Sequence, residues 1–456
     1  MAKYDNFDSF MEITANENLK VKVSHKQILT VALPITLAIL IPQINMLTNN
    51  IFLGRLSEEA LGNAGITGVY YLIFAVAGSG LSNAMQTVFS KYAGRSEPEK
   101  LAIILTQGIR ISLVLSFAAI VFTWFIAPYI LEPFADPKAF SKEMEFLRIR
   151  IWGLPFLIMF QLGNAFLISS LNSKLLMTGF LFEAMTNILF DYLLIFGNFG
   201  FPALGFNGAA VASVMAECTG MLVVYMVLLK SGLKKRYRLL ADFRYESILS
   251  KEIIRISLPL VFQYVVSVTT WLVFFILLES RGQTAKAVSN TMRNVFGMSG
   301  VFIWAFASAC NNMVSNIIGQ GKQADVLKLV RMIMMWSMLF TAIMVGALNL
   351  FPHLFFRMFG QGEYFVQEGT SVIRMVSLGM IFMSMANVWL NAVTGTGRTR
   401  VNLWIEIVAI ILYMVYTWYF MKVNYISLAV AWSNEFIYWL SVLGMSYWYM
   451  RSGRWK

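Results

Sequence analysis

Three carboxylates fall within Glu183 to Glu217, a stretch whose other residues are mostly those of lipid-facing helices. Glu183, Asn187 and Asp191 recur at every fourth position, so a helix stacks them along one face. Leu189, Phe190, Tyr192, Leu193, Leu194 and Ile195 surround Asp191. A carboxylate in such company is costly unless it meets a partner or a wet cavity, and such acids mark ion and proton pathways. The chemistry that fits is reversible binding of H⁺ or Na⁺ at Asp191, lined by Asn187 and Ser213. After a turn from Gly197 to Gly208, a second helix opens on Ala209, Ala210 and Ala212, small enough for close packing, and carries Ser213 and Glu217 one turn apart. The two helices read as a hairpin. For Glu217 a structural and a functional role both stay open.

The elements that must position these residues are membrane helices. The chain has 456 residues, 58% of them hydrophobic and only 13% charged, with a mean hydropathy of +0.65. Such a chain is a polytopic membrane protein. Dyad alternation, the mark of an outer-membrane barrel, is absent. We expect twelve spans, at 27–54, 62–90, 101–131, 147–171, 175–197, 207–230, 253–279, 287–317, 326–352, 371–394, 401–421 and 425–450. The formal charge of +12 lies in short loops and reads as topology bias rather than nucleic-acid binding. With both ends inside, the cytoplasmic segments and the span ends beside them collect 24 Lys and Arg and the outer loops with theirs 11, which predicts a multi-pass protein of the cell inner (plasma) membrane with both termini cytoplasmic. Cys218 and Cys310 lie in apolar segments with neither a disulfide nor a metal spacing.

The halves repeat. Lys26 to Ile35 (KQILTVALPI) matches Lys251 to Leu260 (KEIIRISLPL), 225 residues on, and the same offset carries Ala60 onto Ala285 and Ser90 onto Ser315. Later the offset becomes 223, relating Asn164 to Asn387 and Glu183 to Glu406, with Glu217 paired to Glu435 to within about one residue. Acids paired in this way suggest scaffolding. Asp191 maps onto Met414 and has no such partner. The fold expected is an all-α integral membrane protein of twelve helices in two six-helix lobes related by a parallel repeat. Its parts are a cytosolic tail (1–25), an N-lobe (26–230), a basic linker (231–252) and a C-lobe (253–456). A cleft between lobes would be lined by Asn45, Asn83, Gln86, Gln263, Asn311 and Asn387, and Pro34 and Pro42 would let the first helix bend.

At this point the sequence resembles a known family, the multidrug and toxic compound extrusion (MATE) transporters. The matching residues are Leu33-Pro34, Asn49 to Leu56 (NNIFLGRL among them from Asn49), Ala60-Leu61-Gly62, Asn187 to Asp191 (NILFD), Gly205 to Ser213 (GFNGAAVAS), Leu258-Pro259 and Gly395 to Thr399 (GTGRT). The resemblance implies an antiporter exchanging bulky, often cationic organic compounds for Na⁺ or H⁺, without a cofactor or obligate protein partner. It also implies a cation site at Asn187 and Asp191 with Ala209 and Ser213. Asn49 stands where the family typically has Asp, and can offer an oxygen to Na⁺ but cannot hold a titrating proton. The seventh span shows Gln263 and Ser267 where some branches carry Glu.

Three other readings were weighed. A flippase for lipid-linked saccharides would use a strongly cationic cleft, whereas the arginines in or near spans are few, Arg110, Arg293 and Arg374 among them. An enzyme is disfavoured by two histidines and no catalytic spacing. A channel is disfavoured by two fused halves without a filter motif.

Overall fold

A computed structural model of the chain describes residues 19–134, 139–230, 232–239, 243–279, 282–357, 363–420 and 427–456. Most of the expected tail, and residues 231 and 240–242 of the expected linker, lie outside them. Among the described residues there are helices and no strand. Twelve are long: α1 His25–Leu56, α2 Glu58–Gly94, α3 Pro98–Phe125, α4 Phe140–Ser169, α5 Leu176–Phe196, α6 Phe206–Lys230, α7 Ser247–Glu279, α8 Gln283–Gly319, α9 Val326–Leu350, α10 Glu363–Gly395, α11 Thr399–Trp418 and α12 Asn434–Ser452. Eleven are apolar and long enough to cross a hydrocarbon core; α12, rich in Tyr, Trp and Ser, is not among them.

The helix bounds sharpen the repeat. α2 and α8 are both 37 residues long and start 225 residues apart. α4 and α10 start 223 apart, at Phe140 and Glu363, and so do α5 and α11, at Leu176 and Thr399. The counterpart of α6 is split into Leu428–Ala431 and α12, and its ends, Leu428 and Ser452, lie 222 beyond Phe206 and Lys230. This register corrects one sequence pairing. Glu435 falls opposite Ser213, one turn before Glu217, whose own counterpart is Trp439.

The chain forms two compact units, one holding Leu37–Val261 and the other Val21–Thr36 with Phe262–Lys456. Both α1 and α7 therefore change unit partway along. Thr36 and Val261 are 225 apart, and each lies two residues past a proline, Pro34 or Pro259, whose ring removes a helical N–H bond. Within the second unit, the Val21 N–H donates to Asn316 Oδ1 at 3.0 Å, Gln320 Nε2 donates to the Val21 carbonyl at 2.9 Å, and Trp336 Nε1 donates to His25 Nδ1 at 2.9 Å. Within the first, Lys91 Nζ and the Tyr92 hydroxyl both bind Glu252 on α7, at 2.8 and 3.0 Å.

In the first unit α5 and α6 make the most extensive helix pair. Gly197, at φ 73°, ends α5 in the left-handed region, and the chain turns back into α6. Gly208 then meets α5 backbone to backbone: a Cβ there would lie 2.5 Å from the Leu194 carbonyl oxygen. No side-chain rotation can relieve that contact. Gly208→Ala is expected to destabilise the protein by about 1–3 kcal/mol, read as a lower unfolding midpoint of the purified protein, whereas Ala substitution at the open Gly346 leaves it near wild type.

Candidate functional site

The α1–α5 contact builds the site. Asn45 Nδ2 donates to Asn187 Oδ1 at 2.8 Å. Two turns further, Leu53 and Ile195 join one apolar cluster with Ala209 and Ala210, and the Phe52 and Phe196 rings meet edge to face at 6.1 Å. The Asn45–Asn187 bond and the Phe52–Phe196 contact come in the same order along both helices, so the helices run parallel. Asn49 and Asp191 each follow one turn after the bonded Asn45 and Asn187.

Asp191 is fully buried, at 0% exposure. Neither of its carboxylate oxygens has a hydrogen-bond partner among the described residues, and the same is true of Asn45 Oδ1 and Asn49 Oδ1. The nearest charge acting on Asp191 belongs to Arg150, which makes no ion pair with it. Four acceptor oxygens on facing helices, enclosed and unpaired, are the donor set a proton or a small hard cation requires. Ala209 is buried at the foot of α6 and Ser213 is half-buried one turn on. The residues fit the cation expected from the sequence, and among the described residues no cluster of three or more His, Cys, Asp or Glu offers a transition-metal site.

The structure sets Glu217 apart from this group. Its two oxygens accept from Arg150 Nη1 and Nη2 at 2.7 and 2.6 Å and from the Tyr71 hydroxyl at 3.0 Å. The guanidinium lies over the Tyr71 ring, 3.6 Å from its centroid. A Cβ on Gly153 would collide with both partners, so that glycine gives the pair its room. With its lone pairs committed to a bidentate arginine, Glu217 is a neutralised acid rather than a cation ligand. Sequence reasoning missed Arg150 and Tyr71; the signal available was a basic residue three positions inside the expected span 147–171. Glu183, one turn before Asn187, keeps Oε2 without a partner and packs against Gly220.

The expected cleft residues divide between the units. Gln86, Gln263 and Asn311 are buried, at 3, 6 and 0% exposure. Asn45, Asn83 and Asn387 are half-buried, with Asn387 Nδ2 bonded to the Met383 carbonyl of its own helix at 3.1 Å. α1 continues as one helix through Pro34 and Pro42. A surface groove lined by Trp124, Phe140, Arg148, Trp152 and Met215 contains none of the candidates.

Repeated halves of membrane-crossing helices with an unpaired acid enclosed in one of them define a class, the multi-pass transporters. The chain belongs to the MatE family, whose model matches residues 34–193 and 259–419, and is a MATE family transporter. It is 22% identical over 380 residues, 82% of this chain and 80% of the relative, to a probable multidrug resistance protein NorM of Thermotoga maritima. Its fold matches an outward-facing multidrug resistance MATE transporter of the MOP superfamily, with a TM-score of 0.85, 15% identity and coverage of 96% and 98% of the two chains. It also matches a MATE structure in a bent conformation, with a TM-score of 0.82, 16% identity and 94% coverage of both.

Removing one member of a buried ion pair strands the other. Arg150→Met is expected to cost about 3–5 kcal/mol, and the double variant Arg150→Met with Glu217→Gln to recover most of it, both read from unfolding midpoints of the purified protein.

Proposed function

We propose that this transporter is a secondary antiporter of the cell inner membrane that exports amphipathic or cationic organic compounds in exchange for H⁺ or Na⁺, with Asp191 as the coupling carboxylate. The observation that carries the reading is the enclosed Asp191 carboxylate, unpaired and one turn past the Asn45–Asn187 bond that joins α1 to α5. An ion arriving there draws the Asn45 and Asn49 carbonyls and the Asp191 carboxylate onto one charge, and so acts directly on α1. That helix passes through Pro34 and Pro42, where a missing N–H bond lowers the resistance to bending. Ion occupancy thus biases one of two shapes of α1 by its differential affinity for them. The cargo class is supported by the multidrug resistance name of the Thermotoga relative, and the cytoplasmic placement of both ends by the excess of Lys and Arg on that side.

The test is dye efflux from vesicles reconstituted with the purified protein, under an imposed Na⁺ gradient and separately under a pH gradient. Wild type is expected to respond to one of the two, and Asp191→Asn to fall to the level of empty vesicles. Full gradient-driven efflux by Asp191→Asn would overturn the assignment. Asn49→Asp adds a second acid on the facing helix and is expected to strengthen the response to pH relative to Na⁺.

A further inference from the structure

The second unit keeps two buried acids but has lost the groups that neutralise an acid in the first. In the repeat register, Tyr71 becomes Phe296, Arg150 becomes Ile373 and Glu217 becomes Trp439. The whole ion-paired triad is replaced by apolar or neutral side chains, and Phe296 and Ile373 belong to one hydrophobic cluster. Glu406, the counterpart of Glu183, and Glu435, the counterpart of Ser213, remain at 1 and 4% exposure.

Everything around these acids is neutral. The Tyr438 hydroxyl donates to Glu406 Oε1, and Gln263 Nε2 reaches Oε2 at 3.4 Å. Ser267 of α7 lies 3.3 Å from the Tyr438 hydroxyl, and Trp439 Nε1 donates to Glu435 Oε2 at 2.9 Å. From α10, Gly379 backs onto Glu435. The titratable groups that act on the pair are Tyr264 of α7, Tyr413 of α11 and Tyr438 of α12; no Lys, Arg or His acts on either acid among the described residues. One neighbouring polar atom is buried without a partner, Gln263 Oε1, on a residue at 6% exposure.

We propose that Glu406 and Glu435 are proton-binding carboxylates of the second unit, separate from the Asp191 site of the first. Two uncompensated carboxylates held in an apolar interior take up positive charge. A proton suits the surroundings better than a metal ion, because the groups that meet the acids are N–H and O–H donors, while a hard cation requires a shell of oxygen acceptors. When a carboxylate accepts the proton it becomes a carboxylic acid whose new O–H needs an acceptor. The unpartnered Gln263 oxygen, on the amide already beside Glu406, supplies one once that amide turns over.

The test is infrared difference spectroscopy of the purified full-length protein in lipid nanodiscs between acidic and alkaline buffer, following the carboxylic-acid C=O stretch. Wild type is expected to show bands of which Asp191→Asn removes at most one part and Glu435→Gln or Glu406→Gln another. Because binding is read directly, without transport, a failure here is distinct from a failure of the Asp191 reading. If both glutamine variants fold and leave every carboxylic-acid band unchanged, neither acid binds a proton as proposed. If Na⁺ at constant alkaline pH perturbs the carboxylate bands of wild type but not of Glu435→Gln, the ligand is a metal ion and the proton assignment falls. Should either glutamine variant fail to fold, Glu435→Asp keeps a titrating acid with a shorter reach and is expected to shift the band, an unshifted band counting against the proposal.

Discussion

The structure depends on how it disposes of negative charge in a low-dielectric interior. Taking an ion out of water costs several kcal/mol even after the protein relaxes around it, so each enclosed carboxylate needs a compensating arrangement. Glu217 has Arg150 and Tyr71. Glu406 has a fan of neutral donors. Asp191 has neither: both of its oxygens are without a hydrogen-bond partner among the described residues. Residues of one chemical type thus differ in role by what faces them, and the acids that lack a counter-charge are the ones able to take up a proton or an arriving ion.

That distinction rests on helix packing. Gly208 lets α6 touch the backbone of α5, and Gly220 lets it close over Glu183. The α5 face carrying Glu183, Asn187 and Asp191 is thereby fixed against α6, and the parallel α1 bonds it through Asn45. Small residues act here through backbone distance, as in other membrane bundles where helix approach rather than hydrophobicity sets the contact. The amide of Asn45, spent on Asn187, leaves its oxygen free, so even the hydrogen bond joining the helices contributes an acceptor to the site.

Much of this was legible in the residues. Apolar runs gave the helices, and the fourth-residue spacing of Glu183, Asn187 and Asp191 gave one face, because both are properties of a single segment. Contacts between segments were harder. Arg150 read as a loop cation because it stands near the start of its span, and its partner Glu217 lies 67 residues on, on another helix. Tyr71 is one of 18 tyrosines, with nothing local to single it out. Matching like residues across the repeat drew Glu217 towards Glu435, whereas helix bounds, which follow backbone length, set them one turn apart. The points where α1 and α7 pass from one unit to the other lie inside unbroken helices, where no change in composition marks them.

Those two passages bear on how a duplicated chain of this kind is put together. The segment leading into α1 is anchored at Val21 by Asn316 and Gln320, and the opening turns of α7 by Lys91 and Tyr92. Neither half of the polypeptide, severed at the linker, would contain all of the segments its own compact body holds. Each half expressed alone would therefore lack the helix end that its compact body takes from the other half, so the two halves depend on each other to complete their folds.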